Sequence, residues 1–299
     1  MIQPITTLEA SSSTHKQLIF NFKADISKVN IFENLNNPFG SFIPEIARVA
    51  AEEFQQFIAS EYQDWKHGFG LQKGKMFGIL VVRKSDQSYG YLGTVSGKIP
   101  SNAASSRFVP STFDDAVDDF FINRGMTELT EIGSSISKSD NDAEITLMKE
   151  KRKQKSLAIQ QQLFENYRFL NLLGVEKNVL EIFQQSSHGN PPSAAGECTA
   201  PKLLHYAFKH HLKPIALAEF WWGNPAKNKE RAHKIFYPAC KNKCRPILEY
   251  MLNDTALYNQ ANARDEEENS PRSEDEVPGN IPSEMEKYFV DKHQRNLRE

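Results

Sequence analysis

The spacing of apolar positions changes several times along the chain, and each change marks an element. After Pro44, apolar side chains recur at three- and four-residue steps (Ile46, Val49, Ala50, Phe54, Phe57, Ile58), which predicts a helix over residues 44–62 with proline in its first turn. The runs MFGILVV (76–82) and YGYLGTVS (89–96) are short, apolar or aromatic, and separated by a polar turn, so they predict a β-hairpin. Gly90, Gly93 and Gly97 point to a bulge or a close backbone approach there. Residues 100–142 are turn-rich and acidic and read as a surface excursion. From 143 to 173 there is neither proline nor glycine, helix formers dominate, and Leu163, Tyr167, Leu170 and Leu173 form a stripe; one long helix ended by Gly174 is expected. A short helix over 177–185, a helix over 202–211, the continuous apolar run IALAEFWW (215–222) of strand length, and a helix over 239–252 complete the series. The expected fold class is α/β: a small sheet, made of the hairpin plus a further strand, flanked by helices, one of them long. Residues 41–252 are expected to form one domain, preceded by a loosely ordered lead-in (1–40) and followed by a polar, acidic, disordered tail (253–299) whose DEEENSPRSEDE stretch has linker composition.

Composition narrows the class only modestly. With 299 residues, 39% hydrophobic and 25% charged, the chain can bury a sizeable core, and its net charge of −2 selects no partner by itself. Basic residues gather at 149–155 and 227–245, acidic ones at 265–276. No apolar run is long enough to span a bilayer and the N-terminus lacks the pattern of a secretory signal, so a cytoplasmic protein is expected. Three cysteines, two of them four apart, suit reduced thiols or a metal site better than a secreted disulfide framework.

Those cysteines bracket one helix–strand–helix segment. Cys240 and Cys244 sit on one face if residues 239–252 are helical, and Cys198 is close to the start of the preceding helix, where backbone N–H groups favour a thiolate and hold the neighbouring Glu197 ionised. Three thiolates suit a zinc ion with a fourth position open, the catalytic arrangement. Buried structural thiols and a redox pair stand beside that reading. His188, His205, His210, His211 and His233 lie in the same region as further ligand or base candidates, against the plain alternative of solvated or hydrogen-bonded surface histidines. Trp221 and Trp222, followed by Lys227, Lys229, Arg231, Lys241, Lys243 and Arg245, combine aromatic and basic character as single-stranded RNA binders do; the alternative is that the indoles face the core. The KEKRKQK run is read as a solvated helix face.

GECTAPKLLHYAF, IALAEFWWG and FYPACKNKCRPILEYML closely resemble the N-terminal extension of some bacterial pseudouridine synthases of the RluA type, and KGKMFGILVV, GYLGTVSGKI, RFVPSTFDD and LFENYRFLNLLG extend the likeness over roughly residues 70–252. The resemblance implies an RNA-associated accessory module, with tRNA or rRNA as partner and no membrane. It does not bring isomerase activity, because the His-Arg-Leu-Asp motif of the catalytic domain occurs nowhere in the sequence and the chain after Leu252 is short and polar. The chain also resembles zinc-dependent nucleic-acid deaminases, which combine a hairpin, a helix opening with His/Cys-x-Glu, a strand, and a helix opening with Pro-Cys-x-x-Cys. AGEC and PACKNKC stand in those places, with Glu197 before the cysteine instead of two residues after it and the second pair one residue wider. That likeness implies zinc on Cys198, Cys240 and Cys244, with Glu197 shuttling protons. A non-catalytic interaction domain is the third expectation.

Overall fold

The computed structural model describes residues 18–61, 74–97, 107–113, 120–187, 189–225 and 231–252, all within the compact unit Met1–Asp265. The expected acidic tail, His188, Lys227 and Lys229 lie outside the described residues.

The elements are α1 (Glu45–Glu61), β1 (Lys75–Arg83), β2 (Tyr89–Val95), α2 (Phe120–Lys138), α3 (Asp142–Asn166), β3 (Arg168–Leu170), β4 (Glu176–Asn178), α4 (Val179–Gln184), α5 (Thr199–Lys209), β5 (Lys213–Trp222) and α6 (Cys244–Leu252). The hairpin and the further strand form an antiparallel sheet in the order β2-β1-β5, with a register shift at Val81/Val82. It is the expected α/β arrangement.

Each strand of this three-stranded sheet is buried on both faces, and the two-residue alternation decides which layer a side chain joins. Phe77, Ile79 and Val81 of β1 and Ala216, Ala218 and Phe220 of β5 pack with Ile46, Ala50 and Phe54 of α1. Leu80 and Val82 of β1 and Leu217 of β5 face the opposite way, into a core with Leu203, Leu204 and Ala207 of α5 and Ile247, Leu248 and Met251 of α6. Gly78 lets α5 come close: a Cβ there would collide with Thr199. Near Phe54 the α1 face is almost wholly aromatic, with Phe20 and Phe108 edge-on to that ring at 5.5 and 5.6 Å.

Residues 18–40, read as part of a loosely ordered lead-in, are anchored at several points. Phe20 bridges to Tyr91 at the outer edge of β2, and the Glu53 carboxylate accepts the Lys23 and Ala24 N–H groups at 2.9 and 2.8 Å and the Tyr91 hydroxyl at 3.2 Å. At the other edge, the Asn36 amide accepts from Leu217 N at 2.8 Å and donates to Leu217 O at 3.1 Å, covering backbone that would otherwise invite another strand.

Two expectations change. Helix α2 occupies much of the supposed surface excursion; its Gly125, Gly133 and Ser134 are weak helix formers, and it is held by packing on α3, where Gly125 abuts Ile159 and Lys155 pairs with Glu128. Helix α3 ends at Asn166, not near 173. Tyr167 and Phe169 are fully buried, which turns the chain into the β3–β4 hairpin, and Gly174 takes its φ of +78° in that hairpin's turn.

Candidate metal centre

The three sulfurs come together. Cys198 is the residue before α5, in extended conformation, and its side chain caps no helix N–H. Its sulfur lies 4.0 Å from that of Cys240, which is 3.2 Å from that of Cys244. All three ligand atoms fall within 4.8 Å of one another, and among the described residues no histidine or carboxylate joins the group.

The backbone explains the convergence of positions 42 residues apart. After β5 the chain returns along its own strand: Trp221 N donates to Ile235 O at 3.0 Å and Tyr237 N to Glu219 O at 3.0 Å. Pro238–Cys240 are thereby led back alongside β5 toward the start of α5. Cys240 lies in a turn closed by Cys244 N donating to Cys240 O at 3.2 Å, and Cys244 opens α6. The pair therefore does not share a helix face, as the spacing suggested; it spans the turn into the helix, and the sulfurs still meet.

Zinc–sulfur bonds of about 2.3 Å in tetrahedral array place sulfurs about 3.8 Å apart. The observed separations of 4.0 and 3.2 Å bracket that value. The donor set thus fits a soft or borderline divalent ion, zinc foremost. Without an ion the trio gathers one negative charge on Cys240, held well below the usual thiol range first by the Cys198 thiol and then by that of Cys244. Cys198 and Cys244 are pushed up, Cys198 chiefly by its hydrogen bond to Cys240.

A cleft of about 480 Å³ opens onto the cysteines and is lined also by Thr199, Glu219, Arg231, Lys241 and Lys243. Glu219 is the carboxyl that sequence reasoning missed. It points to the α5 face of β5, accepts from the Thr199 hydroxyl and, at 3.2 Å, from Ala200 N at the helix start, and burial raises its pKa to about 8, helped by the Cys240 charge. A lone glutamate inside IALAEFWW was the available signal, since an unpaired charge in a buried strand calls for a reason. Glu197, the expected proton carrier, is buried but does not line the cleft; its charge opposes the effect of burial on Lys202.

The remaining candidates separate. Trp221 and Trp222 are each only 8% exposed, so the stacking platform is not there: Trp222 joins the α1-side core, and the Trp221 indole donates to Asn224 O at 2.7 Å. Arg231 lines the cleft beside the Trp221 ring, whereas Arg245 lies over Phe39 and pairs with Glu249. His205 accepts from Leu170 N at 3.0 Å and His233 from Gly223 N at 2.9 Å, so both are structural acceptors. His210 packs on the Tyr206 ring. Among the described residues no helix is long and apolar enough to cross a membrane.

The fold and site define an α/β protein with a three-cysteine cluster lining a cleft. No family model matches the chain, and no curated protein or solved structure matches it.

Proposed function

We propose that the protein is a zinc-dependent hydrolytic enzyme of the nucleobase-deaminase type, with Cys198, Cys240 and Cys244 as ligands and Glu219 as proton carrier. The observation that carries the reading is the meeting of three sulfurs with a buried carboxyl in one cleft. The element order supports it once the α2–α4 segment inserted after the hairpin is set aside: hairpin, helix opening at Cys198, strand beside β1, helix opening at Cys244. A bound zinc supplies Lewis-acid polarisation to such chemistry. Water replaces the exocyclic amine at an amidine carbon and ammonia leaves. In its ionised form Glu219 takes a proton from the incoming water and gives it to the departing nitrogen, a strand residue in the role the resemblance assigned to Glu197. The Thr199 hydroxyl and Ala200 N–H hold that carboxyl in place.

The test is metal content followed by ammonia release. Purified protein should carry near-stoichiometric zinc that Cys240→Ser abolishes, and a panel of nucleosides, nucleotides and bulk RNA should yield ammonia. Glu219→Gln should keep the zinc and lower turnover by about 10²–10⁴-fold. Protein without bound metal after aerobic and anaerobic purification sinks the reading. The accessory-module reading stands second, supported by Lys241 and Lys243 at the cleft. It predicts binding to bulk tRNA or rRNA and no pseudouridine in the product by mass spectrometry.

A further inference from the structure

Arg231, Lys241 and Lys243 come from two separate stretches of chain, the loop after β5 and the turn before α6, and line the same cleft as the cysteines. Lys241 is exposed, Lys243 and Arg231 half-buried. Among the described residues, none of the three pairs with a carboxylate across an ion-pair distance. Zinc with three thiolates is formally one negative charge, and an ionised Glu219 would add a second, so three cations leave this cleft with a surplus of positive charge. An amidine ring is neutral and leaves that surplus unanswered.

We propose that the cleft takes a phosphorylated small molecule of mononucleotide size, its phosphate held by Arg231, Lys241 and Lys243 and its ring directed to the sulfur trio. The proposal rests on the deaminase-type reading for the ring and on the cation trio alone for the phosphate. Two observations favour a free nucleotide over a nucleic-acid strand. The cleft, about 480 Å³, is within the range of small-molecule sites, about 300–1,000 Å³. A strand binder needs exposed rings for successive bases, and the indoles of Trp221 and Trp222 at the end of β5 are both buried. A guanidinium and two ammonium groups suit a phosphate dianion, since charge-assisted hydrogen bonds are the strong ones.

The experiment is titration calorimetry on the full-length, zinc-loaded protein with each ribonucleoside, its 5′-monophosphate and inorganic phosphate. At least one monophosphate should bind about tenfold or more tighter than its nucleoside, and inorganic phosphate should compete with it. Lys241→Gln with Lys243→Gln should weaken that monophosphate by about 100-fold while leaving nucleoside affinity and zinc content unchanged. Equal affinity for nucleoside and monophosphate overturns the proposal. So does a variant that loses zinc and keeps the monophosphate, since the cations would then serve only to neutralise the thiolates. A single-stranded oligonucleotide binding about 100-fold tighter than any monophosphate, through the same lysines, overturns it in favour of a strand. Repeating the series on chelator-treated, reduced protein separates the two readings. Purified protein without zinc before any chelator counts against the deaminase-type function, whereas loss of the preference for monophosphate in both the zinc-loaded and the zinc-free protein counts against the cation site.

Discussion

Lys202 provides a quantitative test of how the wall of the cleft is built. It is 1% exposed, and its ammonium donates to Val95 O at 2.6 Å and Gly97 O at 3.0 Å, clamping the backbone on both sides of Ser96, which lines the cleft. Burial lowers its pKa from 10.5 to about 8, against the opposing pull of Glu197 and then Cys198. At 1.36 kcal/mol per tenfold change in proton affinity, that fall amounts to about 3 kcal/mol. The sign follows from proton counting: between pH 8 and 10.5 the unfolded chain holds the proton that the folded protein has released, so stability rises with pH in that window. Below pH 8 both states are protonated and the whole cost of burying the charge is present. Replacing Lys202 by Met removes that cost but leaves two buried carbonyls without their donor, at about 1–3 kcal/mol each. The two effects oppose each other at pH 7, so a single stability value would say little. The pH dependence decides: in urea unfolding under reducing conditions, wild type should gain about 3 kcal/mol relative to Lys202→Met between pH 8 and 10.5, with cysteine and tyrosine titrations common to both proteins subtracting out. Parallel curves across that range would refute the assignment of a buried, charged lysine.

Two further outcomes follow from the same kind of reasoning. His205 has its pKa lowered to about 4, by burial first and then by Lys209, so on acidification the unfolded chain takes up a proton near pH 6.5 that the folded protein refuses; stability should fall by about 3 kcal/mol from pH 6.5 to 4, and His205→Leu, less stable at neutral pH for want of the Leu170 N–H acceptor, should lose that part of the slope. In metal-free, reduced protein, Cys240 should react with iodoacetamide first and at pH 6 about ten times faster than an ordinary thiol, with zinc protecting all three cysteines; peptide mapping that finds Cys198 alkylated first would contradict the charge placement on Cys240.

What could be read from sequence was what a short period records. The helical steps from Ile46 to Ile58 gave α1 within a residue or so at each end, and the apolar runs at 76–82, 89–96 and 215–222 gave the three strands of the sheet. Cys198, Cys240 and Cys244 were recognisable as a single candidate site because the sequence holds no other cysteine. Tertiary context supplied the rest. Helix α2 owes its existence to the face of α3 and carries little propensity of its own, and the end of α3 is set by the burial of Tyr167 and Phe169, neither of which a heptad-like stripe distinguishes from helix. The indoles of Trp221 and Trp222 flank the strand end where an exposed platform and a buried anchor look alike in sequence; only the layers covering both sheet faces separate them.

The place of Glu219 follows from strand alternation. Ala218 and Phe220, its neighbours in β5, face α1, so the residue between them must face α5, and the end of the strand at which it lies is the end where α5 begins. Burial first and the Cys240 charge second oppose the ionised form of a carboxyl there, while the Ala200 N–H at the helix start stabilises it. An apolar residue would fit that strand at lower cost in desolvation. Glu197, closer to Cys198 in sequence, is carried by the turn at Gly196, whose φ of +96° sets the chain direction just before α5, and its charge acts on Lys202 instead. Sequence adjacency to Cys198 thus pointed to a carboxyl that does not line the cleft, because at the junction of a turn and a helix neighbouring side chains diverge, while a residue 21 positions beyond Cys198 is returned to the cleft by one helix and one strand.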